Sequence, residues 1–144
     1  MSRIIFALML LCSVTTVFSQ SKEASLTPVA PDAVLKGFIK NYGDAKATWK
    51  ETEGTYEATF KLNGMPATAW YDSIGHRTNM VVEIKPDLLP AIAHSYLDRN
   101  HPKAKIMKAQ KWTDDKKVSK FQADIKLGVE TKTLMFTARG DLIQ

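Results

Sequence analysis

A few large side chains stand where a water-facing strand surface calls for polar ones. Along residues 65–71, strand alternation puts Ala67, Ala69 and Tyr71 on one side and therefore turns Trp70 to the other. Met135 takes the equivalent outward place 65 residues later. Trp49 and Trp112 each lie on a strand that follows a helix, and they join the same set. Outward apolar groups at matched positions mark a contact surface, and Trp is among the commonest anchors of protein–protein contacts. The chemistry these side chains offer is adhesion to a protein or peptide. Trp70, Met135, Trp49 and Trp112 are the predicted protein-binding residues. The competing reading is that they pack under a loop, against another sheet or in a dimer.

Other reactive residue types do not assemble into a site. His76, His94 and His101 are the three histidines, on a turn, a helix and a helix exit, without metal-ligand spacing. Asp72, Glu83 and the remaining carboxylates form no recognisable acid–base pair. Ser25, Ser73, Ser95 and Ser119 lack the glycine-flanked setting of a hydrolase nucleophile. Arg139-Gly140-Asp141 reads as a turn. No catalytic residue, metal or cofactor is predicted, and the chain is read as a non-enzyme. The net charge of +5 comes mostly from dispersed lysines, including Lys61, Lys120, Lys126 and Lys132. Lys116-Lys117, the nearest run, is diluted by Asp114-Asp115. Without a clustered basic stripe, nucleic acid is not an expected partner.

The N-terminus has its own logic. Arg3 is followed by an apolar run over residues 4–17, interrupted by Ser13, Thr15 and Thr16, and then by Val17-Phe18-Ser19. Residues 1–19 therefore read as a signal peptide cleaved before Gln20. The run is too short and too broken for a membrane span, so no transmembrane segment is expected after its removal. Cys12 follows Leu10-Leu11, a poor setting for lipid attachment. Its loss with the signal removes the single cysteine, and with it any disulfide framework or thiol nucleophile. The mature protein is expected to be exported, either periplasmic or secreted.

Residues 20–29 read as a flexible leader rich in Ser and Thr. Pro31-Asp32 then opens a helix whose apolar stripe is Val34, Leu35, Phe38 and Ile39, closed by Tyr42-Gly43. Strands are expected over residues 47–52, 55–62, 65–71 and 77–84, with Asn63-Gly64 as a two-residue hairpin turn. A helix over residues 86–100 follows, then strands over 106–112, 117–127 and 130–138, and a short Leu142-Ile143.

The landmarks recur. Pro31 matches Pro90 and Ala45-Lys46 matches Ala104-Lys105 at an offset of 59. Tyr56-x-Ala58-x-Phe60-x-Leu62 matches Phe121-x-Ala123-x-Ile125-x-Leu127, and Gly75 matches Gly140, at an offset of 65. The six-residue jump falls near residues 112–117. The predicted fold is α+β: two tandem α-β-β-β-β repeats, over residues 30–85 and 86–144, forming antiparallel sheet with the helices packed on one face.

Pro31, Val34, Phe38 and Tyr42, followed by Ala45-Lys46, Trp49 and Tyr71-Asp72-x-x-Gly75, resemble the pattern of the beta-lactamase-inhibitor-like, PepSY-like family. The resemblance spans residues 28–143. It departs at Gly43, where that family has Pro, and again at His101-Pro102 and Thr137-Ala138-Arg139-Gly140 in the later half. The resemblance implies a small exported protein with two copies of the unit. It also implies a shape shared with inhibitors that grip an enzyme through a concave, aromatic-rich sheet face. PepSY-type domains are linked to protease regulation. The expected function is therefore that of an exported, non-enzymatic binding protein, in its sharper form an inhibitor or regulator of an envelope or secreted hydrolase. The alternative is a periplasmic carrier of a small apolar ligand, with space left by the small inward residues Ala58, Ala67, Ala69 and Ala123.

Overall fold

A computed structural model describes residues 30–143; the expected signal peptide and leader, Cys12 included, lie outside them. Pro31 precedes the first helix, α1 (Asp32–Tyr42). Its carbonyl accepts the Leu35 amide at 3.0 Å, and Asp32 and Lys40 sit at the ends of the helix dipole that favour their charges. Gly43, at φ 60°, closes the helix by donating its amide to the Ile39 carbonyl. The chain then runs back and forth through β1 (Thr48–Thr52), β2 (Thr55–Leu62), β3 (Met65–Tyr71) and β4 (Arg77–Ile84). Asn63 and Gly64 both take positive φ between β2 and β3, which is the twist a two-residue hairpin needs.

The segment expected to form one helix over residues 86–100 divides at a proline. A single 3-10 turn, Pro86–Leu88, comes first; Leu89 is extended; α2 runs over Ala91–Asn100. Leu89 precedes Pro90, whose ring disfavours helical backbone in the residue before it. The second half then adds β5 (Lys105–Asp114), β6 (Ser119–Leu127) and β7 (Glu130–Thr137).

All seven strands join one antiparallel sheet in sequence order, β1 to β7. This overturns the expectation of two tandem α-β-β-β-β repeats. The later half has three strands, and β4 pairs directly with β5, from Asn79 opposite Asp114 to Ile84 opposite Ala109. Leu142-Ile143 does not form the missing strand. Leu142 makes one isolated bridge to Phe136, and the Ile143 amide reaches the Met135 carbonyl at 2.8 Å. The extra residues near 112–117 extend β5 and turn back through Asp114, which accepts the Val118 amide at 2.8 Å.

Both helices cover the same face of the sheet. Val34 and Phe38 of α1 bury against Ala58, Phe60, Ala67, Ala69 and Tyr71. Ala93 and Leu97 of α2 bury against Ala109, Ala123, Ile125, Leu134 and Phe136. Alanine pairs form the floor under each helix: Ala58 opposite Ala69, and Ala109 opposite Ala123. The close seat of α1 is completed by Gly37, where an added Cβ would collide with the Gly75 carbonyl.

Candidate protein-binding face

With the helices on one side, the residues at the intervening strand positions form the helix-free face. Trp70 on β3 lies opposite Glu57 on β2 and Asn79 on β4. Trp112 on β5 lies opposite Val81 on β4 and Lys120 on β6. β4 therefore separates the two tryptophan-bearing strands, and the indoles reach across it. Their centroids are 5.7 Å apart and their planes within 8°, an offset stack of the kind favoured by the ring quadrupoles. Val81 is only 7 % exposed although it sits on the helix-free face. The two indoles account for that burial, one directly opposite Val81 and the other diagonal to it.

Each indole is fixed at its polar edge. Trp70 Nε1–H donates to Glu57 Oε2 at 3.1 Å, and Trp112 Nε1–H donates to Gln122 Oε1 at 3.1 Å. Gln122 is held in turn, because its Nε2 donates to Asp124 Oδ1 at 2.9 Å and the Thr133 hydroxyl donates to the same oxygen at 2.7 Å. Met135 lies on β7 opposite Gln122, on the same face. A depression of about 250 Å³ is lined by Trp112, Met135, Val118, Asn79, Asp114 and Lys120. On the other flank of the pair, Trp70 borders a depression of about 460 Å³. The face thus presents a rigid two-indole ridge with a hollow on either side.

The structure brings Trp70, Trp112 and Met135 together and places Trp49 elsewhere. Trp49 pairs opposite Ala58 and so points to the helix side. There it meets Phe38 edge-on at 5.3 Å and Tyr71 at 6.1 Å. Three contributors to the outer face are not among the sequence-predicted binding residues: Glu57, Gln122 and Val81. Val81 had a local signal, since Met80-Val81-Val82 puts an apolar residue at an outward position whichever way the strand faces. Alternation turns Glu57 and Gln122 outward as well, but their roles as indole partners depend on cross-strand register.

Elsewhere the titratable groups are dispersed. Among the described residues no cluster of His, Cys, Asp and Glu has the makings of a metal site. His76 Nδ1 stands 3.8 Å from Asp72 on an exposed turn. Burial pushes the Tyr71 phenol up to about 12, against the opposing influence of the Asn41 side chain, whose Nδ2 donates to the hydroxyl at 3.4 Å. Ala58, Ala67 and Ala69, on which the carrier alternative relies for space, are buried in the cluster that Val34 and Phe38 of α1 close; Ala123 is buried in the cluster beneath α2. The small residues let the helices pack close to the sheet.

No protein-family model matches this sequence, and no curated protein matches it. Solved structures do. A DUF2874 family protein from Bacteroides uniformis superposes with a TM-score of 0.73 at 19% identity, covering 81% of this chain and 88% of that one. A protein from Bacteroides eggerthii, provisionally described as periplasmic, gives 0.74 at 16% identity, covering 81% and 87%. A BLIP-like protein from Bacteroides fragilis gives 0.69 at 16% identity, covering 81% and 84%. These likenesses show a BLIP-like fold. They support neither PepSY kinship nor tandem copies of a unit.

Proposed function

We propose that this chain is an exported, non-enzymatic protein that binds another protein through the helix-free face of its sheet. The observation that carries the reading is the Trp70–Trp112 stack: two half-buried indoles, fixed by Glu57 and Gln122, on the side of the sheet that no helix covers. Rigid aromatic anchors bury much area on binding and lose little side-chain freedom. The BLIP-like fold and the description of one structural neighbour as periplasmic support the same reading, as does the signal-like N-terminus. The sharper form is an inhibitor or regulator of an envelope or secreted hydrolase.

The test compares the mature wild-type protein with a Trp70→Ala/Met135→Asp double variant of confirmed fold as baits for envelope and secreted fractions. The expected result is a hydrolase held by wild type and released by the variant, whose activity falls when pure wild-type protein is added. Equal capture by both baits would remove the face from the binding site. Capture of a hydrolase whose activity is unchanged would leave a binding protein and discard the inhibitor.

A further inference from the structure

The two faces of the Trp70 indole have different surroundings. One lies against Trp112, on the side of β5. The other looks toward β1 and β2, over the depression that Trp70 lines together with Lys50, Thr52, Glu53, Thr55 and Glu57. This hollow is polar and carries two carboxylates to one ammonium, in a chain whose formal net charge is +5. Glu57 spends Oε2 on the indole N–H, and among the described residues no hydrogen bond occupies its Oε1. Among the same residues no ion pair engages Glu57, although Lys50 is its direct cross-strand neighbour. A free indole face beside a half-buried, unpaired carboxylate is a site for a cation. The indole attracts positive charge through its quadrupole, and the carboxylate supplies the full counter-charge.

Building on the protein-binding reading of this face, we propose that the hollow beside Trp70 receives an arginine side chain of the bound protein. The guanidinium lies flat on the exposed indole face and donates to the Glu57 carboxylate. Arginine suits the site better than lysine because its planar, weakly hydrated head can stack and fork at once. An apolar side chain fits the opposite hollow instead, where Trp112, Val118 and Met135 line the wall. The ridge therefore sorts two kinds of anchor, cationic on the Trp70 flank and apolar on the Trp112 flank. Lys50 opposes the cation, so its removal strengthens binding.

The experiment follows the three indole Nε1–H resonances of ¹⁵N-labelled mature protein. The probes are N-acetyl-arginine amide and, as the uncharged control, N-acetyl-norleucine amide. The arginine probe is expected to move the Trp70 resonance saturably and to leave Trp49 in place, and the norleucine probe to leave Trp70 unmoved. Glu57→Gln keeps an oxygen for the indole N–H but loses the charge, and should weaken the arginine probe about fivefold. Lys50→Ala should tighten it by a smaller factor. A Trp70 response equal for both probes, no response to either, or full affinity in Glu57→Gln would overturn the proposal. If a partner is captured through Trp70 while the arginine probe has no effect, the face stands and its cationic occupant falls. If both fail, the face falls as well.

Discussion

Trp70 and Trp112 come from strands that are not neighbours, yet their rings stack 5.7 Å apart across β4 and close over Val81. The contact lowers the water-exposed area of two indoles while leaving a flank of each free. Because Glu57 and Gln122 hold the N–H groups, the pair is already set in place in the isolated protein. Preorganisation of this kind reduces the ordering cost of association.

The stack should be visible as a coupling energy. In a double-mutant cycle of Trp70→Ala and Trp112→Ala, urea denaturation should return an interaction of about 1 kcal/mol, the usual worth of an aromatic pair beyond area burial. Either single variant should keep native far-ultraviolet circular dichroism. Strictly additive losses would mean that the rings merely lie side by side.

Trp49 should behave oppositely to Trp70. It packs edge-on against Phe38 and is half-buried on the helix side. Trp49→Ala should lower stability by about 3 kcal/mol, the low end for truncating an aromatic core residue. Once folded, the variant should capture the same partner with wild-type affinity. A folded Trp49→Ala protein that loses its partner would return Trp49 to the binding surface.

Much of this arrangement was legible from alternation alone. Trp70 and Met135 face away from the helices because Ala69 and Tyr71, and Leu134 and Phe136, face toward them. The same rule applied to Thr48-Trp49-Lys50 puts Trp49 with the core, since its neighbours are the ones in water. What alternation cannot supply is the pairing of β4 with β5. That register brings Trp112 opposite Val81 and within reach of Trp70, 42 positions earlier in the chain. It rests on the fit of whole strands, and no local residue pattern encodes it. The recurring landmarks misled for a related reason. They reflect the demands of a helix laid on antiparallel strands, which two unequal parts of one sheet satisfy as well as two separate units would.

Gly37 offers a test of how closely α1 sits. Alanine is the better helix former by about 1 kcal/mol, so Gly37→Ala would stabilise an isolated helix. Here the new Cβ would meet the Gly75 carbonyl, a backbone atom in a turn with φ +83° that cannot swing aside like a side chain. Overpacking costs about 1–3 kcal/mol and should win, leaving a net loss of up to about 2 kcal/mol in chemical denaturation. Gly128→Ala, in an open turn at φ +62°, meets no atom and should lose only about 1 kcal/mol from backbone strain. A stabilised Gly37→Ala protein would show that α1 can lift from the sheet without penalty.

Tyr71 ties the core to alkaline pH. Its side chain is fully buried, and burial raises its pKa from 10.0 to about 12. The folded state therefore keeps the phenolic proton across a range in which the unfolded chain gives it up. Between about pH 10 and 12 the unfolded state binds fewer protons, so stability falls as pH rises. The contribution is fully present below pH 10 and is lost as pH climbs to the folded-state value. Two units correspond to about 2–3 kcal/mol. Tyr71→Phe has no proton to lose, so urea denaturation over this range should show wild type losing that much more stability than the variant. Parallel pH profiles would mean that the Tyr71 hydroxyl reaches solvent in the folded protein, and the packing of Phe38 and Trp49 around it would have to be looser than their ring contacts imply.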